Sequence, residues 1–195
     1  MTNIYKRLYA GFLLVLLDIN LERIDMLPDP LGYWLILIGF MMLSKKEKSL
    51  DHKIGCVISG LMLTYSIYQY IANIGAGSGH LTMLSYLSTV VTMILSASLC
   101  FITYRVSIRN YRYRVKQARI KKLMKEADQY IIINALAILA FSTVMIVPAN
   151  FILGMTITIA IVVFVLQVRF ILTLKRIKKQ WITWAISPQT IDLEV

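Results

Sequence analysis

Apolar and polar positions alternate in blocks along this chain, with long apolar runs separated by short segments rich in charge, Gly or Pro. The runs predict helices over about 4–23, 31–43, 54–74, 81–104, 130–147 and 151–174. Between them, 44–53 and 105–129 are basic, Gly75-Ala76-Gly77-Ser78-Gly79-His80 is a turn-rich connector, and Pro148-Ala149-Asn150 turns the chain. Crossing the hydrocarbon of a bilayer takes about 20 apolar residues in a helix. The pattern therefore predicts an all-α polytopic membrane protein with six transmembrane helices arranged as three hairpins. Leu174, Ile177, Trp181 and Trp184 recur at helical spacing among lysines, which predicts a short interfacial helix over 175–186. The expected organisation is one domain over 1–186 and a cytoplasmic tail over 187–195.

Charge adds orientation. Of 21 Lys and Arg residues, 19 lie at the two ends or in every second connector, with Arg23 and Arg169 the exceptions. Basic connectors stay on the cytoplasmic side, so both termini are expected inside and the segments 18–30, 75–80 and 148–150 outside. The net charge of +11 is explained by this asymmetry, and a nucleic-acid partner is not expected. An apolar fraction of 58%, against about 45–50% for soluble domains, fits the plasma membrane. Arg105, Arg109, Arg112, Arg114, Lys116, Arg119, Lys121 and Lys122, with Trp181 and Trp184, are the expected contacts to anionic headgroups or to a membrane-protein partner.

Candidate chemistry concentrates between the first two runs, where Asp18, Glu22, Asp25 and Asp29 account for four of the ten acidic residues. Their flanking runs, Leu8–Leu17 and Leu31–Leu43, are short for a bilayer, which predicts that Asp18–Pro30 dips into its outer half. Carboxylates at that depth must be buried in protein or line a wet cavity. One reading is an outward-facing pocket for a cation, a proton or an amine, with Arg23 neutralising one carboxylate. The other is structural, with Asp25 or Asp29 bonding free N–H groups at the start of the second helix.

The same segment has a recognisable pattern. Asp18-Ile19-Asn20, then Ile24-Asp25-Met26-Leu27-Pro28-Asp29-Pro30-Leu31-Gly32-Tyr33, resembles a D-x-N…I-D-x-L-P-D-x-x-G-Y signature of small integral membrane proteins of Gram-positive bacteria. The resemblance covers about 16 residues. It implies a bacterial membrane location and no activity. The size and expected topology are also similar to the substrate-capture subunits of vitamin importers in such bacteria. Their Ala-x-x-x-Ala packing motif is missing here, since Leu14 stands four residues after Ala10.

Elsewhere the spans carry neutral polar residues. Ser59, Ser66, Gln69 and Asn73 in the third run, and Ser85, Thr92 and Ser96 in the fourth, suggest two faces that meet. They either pack the helices together or line a substrate cavity, and packing is the preferred reading. Asn134 and Gln167 are placed to bond to each other, and Gly32 and Gly39 to let a neighbouring backbone approach. Cys56 and Cys100 read as small apolar packing, and His52 and His80 are isolated, so no metal or cofactor is expected. Neither HExxH nor GxSxG is present, and no nucleophile stands beside a base. The expectation is a non-enzymatic small-molecule or ion transport or binding component. The alternative is a regulatory or immunity protein that docks partners through its basic loop or acidic hairpin.

Overall fold

The computed structural model describes residues 1–19, 29–47, 49–75, 83–111, 117–144 and 149–186. Its six main helices are α1 (Thr2–Ile19), α2 (Asp29–Lys46), α3 (Leu50–Gly75), α4 (Met83–Tyr111), α5 (Gln117–Ser142) and α6 (Ala149–Ile186). Local chemistry sets several boundaries. Pro30 stands in the first turn of α2, where its missing N–H removes no helical bond. Asp51 lies in the first turn of α3, where the helix dipole favours a carboxylate. The fully buried His52 donates from Nδ1 to the Glu47 carbonyl at 2.8 Å and ties α2 to α3.

Each helix packs on its neighbours in sequence, and α1 also packs on α6, so the six close into a ring. Thr2 Oγ1 donates to the Trp181 carbonyl at 3.4 Å, which puts the start of α1 beside the last turns of α6. Arg105 and Arg109 of α4 reach Asp51 of α3 at 3.9 and 3.4 Å. One end of the ring therefore gathers the start of α1, the α2–α3 connection, the end of α4 and the last turns of α6. Most of the basic residues lie at that end.

α1 and α2 approach closely, with Gly11 facing the Gly32 backbone and Gly39 facing Leu8. Near the basic end, Trp181 stacks on Tyr5 with centroids 5.9 Å apart and meets Tyr111 edge-on at 6.0 Å. Such ring pairs contribute about 0.5–1.5 kcal/mol each beyond their area.

Two expectations are corrected here. Among the described residues only Tyr86–Tyr111 and Phe151–Thr183 are long and apolar enough to cross a membrane, so the six-span architecture does not hold. The other four helices fall short for identifiable reasons. α1 and α2 have 18 residues each and include Lys6, Arg7 and Asp18, or Asp29, Lys45 and Lys46. The apolar stretch of α3 is diluted by Thr64, Tyr65, Ser66, Tyr68 and Gln69, and the first half of α5 is charged.

The second correction concerns the end of the chain. α6 runs unbroken for 38 residues, so 175–186 continues it and is not a separate interfacial helix. No Pro or Gly interrupts it there, and Leu174, Ile177 and Trp181 extend one buried face. Trp181 is only 5% exposed, in the core and not on lipid.

The two long apolar helices are little buried by the rest of the chain. Only 22% of the apolar stretch of α4 and 11% of that of α6 is buried. Exposed apolar side chains continue around the ring, including Trp34 on α2, Val57 on α3, Leu136 and Leu139 on α5, and Leu153 on α6.

Candidate functional site

The six helices surround a cavity of about 240 Å³, and every one of them contributes to its wall. Helical spacing explains the contributions. Met62, Tyr65, Ser66 and Gln69 share one face of α3, and Thr92, Met93, Ser96 and Ala97 share one face of α4. Tyr130 and Asn134 come from successive turns of α5, as do Val163 and Gln167 from α6. Val15 of α1 and Tyr33 of α2 also contribute, and among the described residues the lining contains no carboxylate, Lys, Arg or His.

Part of the polar lining is satisfied within its own helix. Thr92 Oγ1 donates to the Ser88 carbonyl at 2.9 Å, Asn134 Nδ2 to the Tyr130 carbonyl at 2.9 Å, and Gln69 Nε2 to Tyr65 Oη at 2.6 Å. The side chains of Ser66, Ser96 and Gln167 make no hydrogen bond among the described residues. Ser66 is buried and Ser96 and Gln167 are half-buried, so these three leave hydrogen-bonding capacity toward the space between the helices.

Toward the basic end the cavity meets an aromatic plate centred on Phe170, which is 1% exposed. Phe170 meets Phe12 edge-on at 4.8 Å, Tyr104 at 5.1 Å and Tyr130 at 5.8 Å. A small void of about 10 Å³ beside this plate shares Val15, Tyr33, Ser96 and Gln167 with the larger cavity. It is about the size of one water. The wall thus offers neutral donors and acceptors beside apolar Met62, Met93 and Val163, which suits recognition of an uncharged polar molecule.

The residues expected from sequence fall in several places. Asp18 and Asp29 belong to α1 and α2, while Glu22, Arg23 and Asp25 lie outside the described residues, so the acidic hairpin is not described as a unit. Arg112, Arg114 and Lys116 also lie outside them, as does the Trp184 side chain. Arg105 and Arg109 pair with Asp51, and Arg109 also donates to Ser49 Oγ. Arg119, Lys121 and Lys122 are all exposed, and Arg119 and Lys122 line a separate opening at the basic end.

Several neutral residues change role. Ser66, Gln69, Thr92 and Ser96 line the cavity, so the reading of these faces as packing alone is too narrow. Asn134 and Gln167 both line the cavity but do not bond to each other, since Asn134 Nδ2 donates to the Tyr130 carbonyl. Ser59 returns its hydroxyl to the Gly55 carbonyl at 2.6 Å and serves its own helix. Sequence reasoning missed Tyr33 and Tyr130 as lining residues. The spacing of four between Tyr130 and Asn134 was the available signal.

At the basic end, Asn110 Nδ2 donates to Tyr5 Oη at 3.2 Å, and burial pushes the Tyr5 phenol above its usual pKa. Among the described residues no group of three or more His, Cys, Asp or Glu could hold a metal ion, and Cys56 and Cys100 are free thiols. Comparison with models of protein families, with curated proteins and with solved structures found no match.

Proposed function

We propose that this protein is an integral membrane component that captures a small, uncharged, hydrogen-bonding molecule in the ring cavity and serves its transport. The observation that carries the reading is the cavity itself, about 240 Å³, walled by all six helices and lined, among the described residues, by uncharged side chains. Its size is near the lower end of small-molecule sites, which run from about 300 to 1,000 Å³. A charged ligand would find no counter-ion among the described lining residues, and desolvating it would cost several kcal/mol or more. A neutral ligand bearing amide, hydroxyl or ring-nitrogen groups would engage Ser66, Ser96 and Gln167 and rest on the methionines.

The membrane placement is supported by the length and exposure of the apolar stretches in α4 and α6. In this reading the basic end faces the cytoplasm of a plasma membrane by the positive-inside tendency, and both termini lie on that side. α5 packs on both α4 and α6. The Phe170 plate then separates the cavity from the cytoplasmic side, as a capture component requires.

Native mass spectrometry of the detergent-extracted protein tests this reading. The wild-type protein is expected to carry a small neutral molecule, and Gln167→Leu and Asn134→Leu to lose it while melting at the same temperature or higher. Equal retention by these variants and the wild-type protein would reject the cavity as the site.

A further inference from the structure

Away from the ring cavity, a second cavity of about 220 Å³ opens at the basic end, between the end of α4, the first turns of α5 and the last third of α6. We propose that it is a headgroup site that seats the phosphate of an anionic phospholipid. Arg119 and Lys122 stand three residues apart on α5, and Arg176 and Gln180 four apart on α6, so each pair shares a helix face. The two faces converge on one opening. Ion pairs among the described residues are confined to Asp51 with Arg105 and Arg109, so Arg119, Lys122 and Arg176 have none.

Glu126 is the acidic member of the lining, and it accepts a hydrogen bond from Thr173 Oγ1 at 3.2 Å. Among the described residues, three cations against one carboxylate leave an excess of two positive charges around the opening. Like charges held together repel one another, and a bound anion relieves that repulsion. Guanidinium groups suit a phosphate because their planar donors can engage two oxygens at once.

Two features favour a lipid over a free phosphate. The cations stand beside apolar Leu123 and Ile177, which can hold the glycerol and first methylenes of a chain. Their depth is also right. Phe151–Phe170 is a 20-residue stretch of α6, about 30 Å long, which matches the hydrocarbon thickness. Arg176 and Gln180 follow one to three turns later, at headgroup level. This inference rests on the membrane placement given above and not on the ligand of the ring cavity.

The test is native mass spectrometry of the full chain in neutral detergent, titrated with phosphatidylglycerol, phosphatidylcholine or inorganic phosphate. Wild-type protein is expected to retain phosphatidylglycerol over phosphatidylcholine. The double variant Arg119→Gln, Arg176→Gln should weaken phosphatidylglycerol binding about tenfold or more, the weight of one charge-assisted hydrogen bond. The matched double variant Lys125→Gln, Lys175→Gln removes the same charge from the same helices outside the cavity and should bind like the wild-type protein. Glu126→Gln should tighten binding, a gain that loss of folding cannot mimic.

Equal weakening in both double variants would overturn the site in favour of a diffuse basic surface. Inorganic phosphate binding without a lipid preference would overturn the lipid as its occupant. Recovery of the chain from cells without detergent would overturn the membrane placement instead, and it is read before any lipid is added.

Discussion

A methyl group added at Gly11 would lie 2.6 Å from Ile36 Cγ1 and 2.7 Å from the Gly32 carbonyl oxygen, whereas one added at Gly60 meets nothing within 4 Å. The first contact involves backbone that cannot move without separating α1 from α2. Gly11→Ala should therefore destabilise the protein by about 1–3 kcal/mol, as overpacking does. Gly60→Ala should be neutral or stabilise by up to about 1 kcal/mol, because Gly is the poorer helix former. Thermal unfolding in detergent separates the two, and equal melting temperatures would contradict the close approach. Trp181 follows the same logic with the opposite sign of volume. Trp181→Ala removes its contacts with Tyr5 and Tyr111 and leaves a cavity, at an expected cost of about 3–5 kcal/mol. A solvent-facing tryptophan would cost far less.

Among the elements, α6 departs furthest from its expected form. Treating 175–186 as a separate helix assumed that a cluster of lysines after an apolar run marks an end. It marks a change of surroundings, while Leu174, Ile177 and Trp181 keep the buried face in register. Lys179→Pro tests the continuity. Proline inside a helix costs about 3 kcal/mol or more, and the break should free Trp181 from its ring partners. A red shift of tryptophan emission with a lower melting temperature is expected. Unchanged emission would mean that the two halves of α6 are independent. Asp51, by contrast, joins α3 to α4 through arginines that are 58% and 43% exposed. Such pairs contribute about 0–1 kcal/mol, so Asp51→Asn should shift the melting temperature only slightly, and less still at high salt.

On the scale of the whole molecule, the ring collects most of the positive charge at one end. Single cysteines in place of Lys45, Lys121 and Lys175, in a background lacking Cys56 and Cys100, should react with a membrane-impermeant thiol reagent from the same side. That side is expected to be the cytoplasmic one. Reaction of any two from opposite sides would break the shared-end arrangement of the helices. The apolar periphery makes the complementary point. Val57, Leu136, Leu139 and Leu153 are exposed on three different helices, and apolar surface spread in this way marks a membrane or protein interaction face.

What the sequence determined by itself is the helical character of the chain, the crowding of basic residues at alternate connectors and the neutral polar faces of α3 and α4. These follow from near-neighbour chemistry, which periodicity and charge report directly. The approach of α1 and α2 at Gly32 and Gly39 was legible for the same reason, since only a missing side chain permits it. The number of helices fit to cross a membrane was not legible, because apolar runs were counted without the charges and tyrosines that the helices also contain. Nor was the cavity. A helix in a membrane is apolar toward lipid and toward its neighbours alike, so hydropathy does not say which face is inside. Only the closure of α1 onto α6 brings Tyr33, Ser66, Ser96, Asn134 and Gln167 around one space and sets Phe170 beneath it. That arrangement depends on contacts between residues far apart in the chain, and such contacts exist only once the ring is formed.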